Sequence, residues 1–168
     1  MRRIWSHSIA TAVAAEAIGG LYGSPDVYTA GLMHDLGRLA LVRGVGSAYE
    51  ENLSRAFSDV AEANELERSH FGVTHCECGE MVARRWGFPG NLIACMAHHH
   101  STPNPKSIDQ LYLIQTACLL ANSFGFPEVL LSDSEAQPIP PETLVTHPKF
   151  DPKELSERIT DRIALWGT

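Results

Sequence analysis

The sequence predicts an all-α helical bundle. Three observations carry that expectation: apolar residues recur at helical spacing along most of the chain, no segment alternates as a half-buried strand would, and helix-start and helix-stop residues fall between the periodic blocks. A chain of 168 residues suits one compact domain and needs no disulfides for stability. The share of apolar residues, 44%, and of charged ones, 20%, is ordinary for a globular protein.

The first helix is expected over about residues 3–21, with Ile4, Ser8, Thr11, Ala15 and Ile18 on one stripe and many alanines that permit close approach. Ser24-Pro25-Asp26 opens the second: Ser24 can cap free amides, and Pro25 suits a first turn that needs no N–H partner. That helix runs to Leu36, and Gly37 supplies a left-handed stop. Ser47 with Glu50 is a capping-box pattern, opening a helix that carries Leu53, Phe57, Val60 and Ala61 on one side. A helix over about 73–86 ends at "GFPGN", and a short one follows with Leu92, Ile93, Met96, His99 and His100 on a stripe. After the "STPNPKS" loop, residues 107–124 form a nearly all-apolar helix, which implies deep burial. "SDSEAQPIPPE" reads as an exposed connector, and "DPKELSERITDRIALWG" as a terminal helix. That helix has Asp151 as cap, Pro152 in its first turn, and Leu155, Ile159, Ile163 and Trp166 as docking stripe.

A net charge of −7 argues against nucleic-acid polymers as partners, since binding them relies on lysine and arginine releasing counterions. No apolar run approaches the roughly 18 residues that span a bilayer, and the N-terminus is a poor signal peptide, so the expected compartment is the cytoplasm, with no membrane partner. Cys76, Cys78, Cys95 and Cys118 lack zinc-finger spacing and read as reduced, mostly buried thiols. On a helix Cys76 and Cys78 point roughly 200° apart, so they cannot both face one ion. Cys118 reads as a buried small apolar residue, although its thiolate could bind zinc or iron.

Seven of the eight histidines lie before residue 101. A lone histidine on an apolar stripe is usually a hydrogen-bonded core residue, and His70 and His147 read as structural or surface residues. The pattern is different when it recurs on four helices, at His7, at His34-Asp35, at His75, and at His99-His100. Burying each separately would cost more than a domain's net stability of about 5–15 kcal/mol, so these groups must satisfy one another or share a cation. Imidazole with carboxylate suits iron, manganese, zinc or nickel, and the carboxyl end of a helix favours a cation near His34 and Asp35.

"WSHSIATA", "AGLMHDLGRLAL", "FGVTHCECGEMVARRWGFP" and "MAHHHSTP", in that order, resemble the HD-domain superfamily, and more closely the HDOD domains of bacterial signalling proteins. The resemblance implies an HD-domain-like bundle over residues 1–126, with 127–168 as a proline-rich connector and C-terminal helix packing on the same domain. It implies a divalent-metal centre in which His7, His34 and Asp35 match the first-helix histidine and the HD pair. His75, His99 and His100 match histidines of the related HD-GYP phosphodiesterases.

The departures are informative. Cys118 stands where the superfamily has a later aspartate, with Asn122 the nearest polar alternative. Arg38 replaces a lysine, and "STPNP" replaces the GYP element, so cleavage of cyclic dinucleotides is not expected. The chain starts almost directly on the His7 helix, which reads as a fragment or a short form lacking an upstream helical layer. The resemblance therefore implies a signalling output module with a degenerate metal centre, or none, working through a signalling protein, an upstream helical or receiver domain, or a homodimer. The alternative it implies is an active metal-dependent phosphohydrolase on a phosphate ester, with Asp35 and Arg38 catalytic and Arg38 helping to bind phosphate.

Overall fold

A computed structural model describes residues 2–24, 26–132 and 139–166 and shows an all-α bundle. In chain order the elements are α1 (Arg2–Leu21), α2 (Tyr28–Met33), α3 (Leu36–Val45), α4 (Ser47–Leu53), β1 (Ala56–Phe57) and α5 (Val60–Phe71). There follow α6 (His75–Arg85), α7 (Gly90–His98), α8 (Gln110–Ser123), β2 (Leu130–Leu131), α9 (Pro141–Leu144) and α10 (Pro152–Leu165). No helix among the described residues is long and apolar enough to cross a membrane.

The alanine-rich α1 is the central element, packed against α2, α8 and α10. Ala10, Ala14 and Ile18 of α1 share one core with Leu113, Ile114 and Ala117 of α8 and with Leu155, Ile159 and Ile163 of α10. Each large aliphatic residue there contributes roughly 1.5–3 kcal/mol by leaving water. The start of α10 follows the sequence expectation: Asp151 accepts from the Lys153 and Glu154 amides, and Pro152 sits in the first turn. Trp166 departs from the expected stripe. It is 58% exposed and meets Trp5 edge-on, because it falls beyond the last helical turn.

Three local expectations are corrected. The second helix begins at Tyr28, with Val27 in the cap position and no capping side chain. The Ser24 amide instead folds back onto the Gly19 carbonyl, and Pro25 lies outside the described residues. The chain breaks at His34-Asp35 rather than at Gly37, which lies inside α3. Gly37 is there for close approach: a Cβ would collide with the His75 carbonyl oxygen and lie 2.7 Å from the Gly79 amide of α6. Gly31 does the same between α2 and α1, where a Cβ would lie 2.7 Å from Ala12 Cα.

The single helix expected through Leu53, Phe57 and Val60 is divided in two. Gly46, at positive φ, turns the chain into α4, so Ser47 is the first helical residue and makes no capping bond. Asp59 then starts a new helix by accepting from the Glu62 amide, and between the two the short β1 pairs in parallel with β2. That pairing joins residues 56–57 to 130–131 and fixes the segment that carries Glu128. Of the expected connector, residues 133–138 lie outside the described residues.

Candidate metal centre

The predicted histidines come from separate parts of the bundle. His7 lies in the first half of α1, His34 and Asp35 in the break between α2 and α3, and His75 opens α6. His99 and His100 follow the end of α7. The break at His34-Asp35 turns both side chains inward at once. At α6, Thr74 and Glu77 form a capping box that fixes the first turn and with it His75.

The rings form one continuous run. Centroids are 5.2 Å apart for His7–His34, 4.9 Å for His34–His99, 5.4 Å for His75–His99, and 4.0 Å for His99–His100. His7, His34, His75 and His99 are all buried, while His100 is half-buried.

Their hydrogen bonds impose one tautomer. His7 Nδ1 lies 2.8 Å from the Phe126 carbonyl and His34 Nδ1 2.6 Å from that of Gly31. His99 Nδ1 reaches the Cys95 and Met96 carbonyls, and His75 Nδ1 lies 2.8 Å from Glu67 Oε2. Carbonyl and carboxylate oxygens only accept, so each Nδ1 carries the proton and each Nε2 keeps its lone pair. With Nδ1–H anchored, each Nε2 lone pair is available to a metal; that of His34 has no partner, while those of His7 and His75 meet Thr11 Oγ1 at 3.4 Å and His100 Nε2 at 2.9 Å. Burial also holds all four below the ordinary histidine pKa, His75 at about 4, which keeps them neutral.

Beside the histidines is a wholly buried guanidinium. Arg38 Nε donates to Asp35 Oδ2 at 2.9 Å, Nη1 to Glu67 Oε1 at 3.1 Å and Tyr49 OH at 3.3 Å, and Nη2 to Glu128 Oε2 at 2.8 Å. Three carboxylates thus share one arginine. Burial works against the charge of Glu67, yet His75 and Arg38 hold it at about 2; His100 and Arg38 likewise hold Glu128 low. At Asp35 burial wins and the carboxyl rises to about 7. Among the described residues, Asp35 Oδ1 and His34 Nε2 are buried with no hydrogen-bond partner. Each orphan costs about 1–3 kcal/mol, and a cation held by His34 Nε2 would relieve that one.

The residues present fit a divalent metal. Among the described residues, two groups offer ligand atoms within 4.8 Å of one another: His7, His34 and Cys118, and His75, Cys76, His99 and His100. The expected single cluster is therefore two adjoining ones, and Asp35 belongs to neither. One of its oxygens is spent on Arg38, and the other lies 3.6 Å from His75 Nε2. His70 is exposed, as expected, and His147 sits beside Tyr22. A cleft of about 500 Å³ reaches His99, His100, Cys118, Asn122 and Glu128. A second, of about 470 Å³, reaches Cys76 and His100.

Sequence reasoning missed Glu67, Glu128, Tyr49 and Cys76. Glu128 had a signal, a carboxylate inside "FPEVLL", the same oddity that marks His34-Asp35. Glu67 had none, since "NELERSHF" resembles any polar helix. Cys76 and Cys78 do not share a site, as their helical spacing requires, but Cys76 alone joins the histidines.

Compared with known proteins, the chain matches the family model of the HDOD domain over residues 1–102. No curated protein matches it. Its fold is similar to a "putative phosphohydrolase" from Shewanella amazonensis SB2B, with a TM-score of 0.63 and 19% identity over 96% of this chain and 60% of that one. It is also similar to an HDOD domain protein with unknown function from Geobacter sulfurreducens, with a TM-score of 0.59 and 21% identity over 97% and 59%. A "putative signal transduction protein" from Marinobacter aquaeolei VT8 gives a TM-score of 0.61 and 15% identity over 96% and 36%. The chain thus spans about 60% of the first two proteins and about a third of the last. Since the family model covers well over half of its residues, the chain belongs to the HDOD domain family.

Proposed function

We propose that this chain is a bacterial, cytoplasmic signal-transduction output module that works through protein contacts, its buried histidine centre a degenerate relative of an HD-type metal site. The observation that carries this reading is Arg38. The cation that would meet a phosphate ester has every guanidinium nitrogen on a protein acceptor and no exposure to solvent. It acts as a positioning residue, tying α3 to α4, α5 and the segment before β2. One oxygen of Asp35, the expected metal carboxylate, is held in the same network. The partner is a signalling protein, an upstream helical or receiver domain, or a second copy of this chain.

The groups that would hold a divalent iron, manganese, zinc or nickel ion are His7, His34 and Cys118 on one side and His75, His99 and His100 on the other. An ion held by the three ligands of the first group would supply a Lewis acid and a water of lowered pKa. Around it, Glu67 and the backbone carbonyls of Gly31, Cys95 and Phe126 orient the imidazoles, and the apolar faces of α1 and α8 exclude bulk water.

A second reading, an active phosphohydrolase, is favoured by the 500 Å³ cleft, whose size suits a small phosphate ester and whose floor includes His99, His100 and Cys118. One experiment separates the two. Tag-free protein is assayed on a phosphatase and phosphodiesterase panel with manganese, iron or nickel added. The module reading expects no turnover above the Asp35→Asn background. Turnover that Asp35→Asn abolishes overturns it in favour of the enzyme.

A further inference from the structure

The second group of ligand atoms contains a sulfur that the resemblance does not assign. We infer that His75, Cys76, His99 and His100 form a site of three imidazoles and one thiolate for a zinc-class divalent ion, separate from the His7, His34 and Cys118 group. The inference rests on the reading of the histidine centre as a cation holder, but not on whether the chain turns over a substrate.

Four observations support it. His75 Nε2 lies 2.9 Å from His100 Nε2, and Cys76 Sγ lies 3.4 Å from His75 Nε2 and 3.9 Å from His99 Nε2. Zinc bound tetrahedrally, with Zn–N near 2.0–2.1 Å and Zn–S near 2.3 Å, sets its donors about 3.3–3.6 Å apart, and the observed distances bracket that range. Next, Nδ1 of His75 and of His99 is anchored by Glu67 and by backbone carbonyls, so both Nε2 lone pairs face the shared point. Further, His100 Nε2 can carry only one proton yet faces two acceptors, His75 Nε2 at 2.9 Å and Glu128 Oε2 at 3.0 Å, a competition that a cation between the imidazoles removes. Finally, Cys76 and His100 both line the 470 Å³ cleft, which gives the ion an entry path.

Binding is balanced as proton exchange. The Cys76 thiol loses its proton to solvent, and His100 moves its proton to Nδ1 as Nε2 takes the metal. Glu128, which had His100 Nε2 at 3.0 Å, keeps its bond to Arg38. Imidazole with thiolate selects zinc or cobalt over magnesium, calcium or manganese. Four protein ligands close the coordination sphere, so this ion is structural: it pins the start of α6 to the end of α7.

The test is cobalt(II) titration of the tag-free full chain, read by absorption. The first equivalent is expected to give intense visible bands of four-coordinate cobalt and a near-ultraviolet thiolate-to-cobalt band. Cys76→Ser should remove the near-ultraviolet band and weaken cobalt binding at least tenfold, while Cys118→Ser should keep the band. Cobalt bound without a thiolate band, a band lost in Cys118→Ser but kept in Cys76→Ser, or no cobalt bound at all overturns the inference. If Cys76→Ser does not fold, X-ray absorption of wild type with one zinc decides: three nitrogens and one sulfur support the site, and no sulfur overturns it. The turnover panel is independent, since a silent module still gives the band and an enzyme without thiolate ligation gives turnover without it.

Discussion

Arg38 and His34 are four residues apart, both wholly buried, and chemically opposite. Every nitrogen of Arg38 meets an acceptor, drawn from Asp35, Tyr49, Glu67 and Glu128 on separate segments. His34 spends one ring nitrogen on the Gly31 carbonyl and leaves the other bare. A satisfied buried network rigidifies a core, and an unsatisfied one is expensive unless something from outside completes it. The first network is finished by folding; the second is kept open at a cost, which is how a ligand site differs from a lock.

The contrast breaks most easily at the arginine. Arg38→Met should cost about 3–5 kcal/mol in urea unfolding, because three carboxylates lose their only guanidinium while remaining buried. A cost under about 1 kcal/mol would mean that the acids do not depend on it. Acid should come next. In metal-stripped protein, burial holds His7, His34, His75 and His99 below the ordinary 6.5, His75 at about 4. The unfolded chain takes up protons that the folded chain refuses, so stability is lost as pH falls through 6.5. Asp35 opposes this: with its folded carboxyl raised to about 7 from 3.8, it favours the folded chain as pH falls from 7 towards 3.8. Four histidines outweigh one carboxyl. Chemical denaturation between pH 7 and 5 should show a net loss of roughly 2–4 kcal/mol, at most about 1.4 kcal/mol per pH unit for each histidine.

Smaller effects sharpen the comparison. Gly37→Ala should cost about 1–3 kcal/mol, since the added methyl must push α3 away from the His75 carbonyl. A thermal melt of this variant should show a weaker response to added zinc than wild type, because His75 moves with α6. His34→Leu should cost no more than about 1 kcal/mol in metal-free protein, as the change deletes an orphaned nitrogen together with one hydrogen bond. A cost as large as that of Arg38→Met would erase the distinction between the two networks. Met81→Ser, on the exposed face of α6, should fall within about 0.5 kcal/mol and fix the zero of the scale.

The sequence made plain those features whose causes are local. The Asp151-Pro152 start of α10 and the breadth of α1 follow from caps and periodicity within a few residues. The meeting of His7, His34, His75 and His99 could be expected because buried imidazoles must find company. What escaped depends on contacts distant in sequence. Gly37 reads as a helix stop until α6 is seen against it. The helix through Phe57 reads as continuous because its partner strand lies more than seventy residues away. Arg38 reads as a phosphate ligand because two of its acids, Glu67 and Glu128, lie 29 and 90 positions further on.

The brief parallel pair of β1 and β2 has a consequence for anyone trimming this chain. Two residues on each side hold the stretch that delivers the Glu128 carboxylate and the Phe126 carbonyl to the interior. A truncation ending at residue 102, where the family match stops, would discard the third acid, the anchor of His7 and all of α8. Such a piece would be a different electrostatic object from the intact chain, with a guanidinium short of an acceptor and a histidine free to swing.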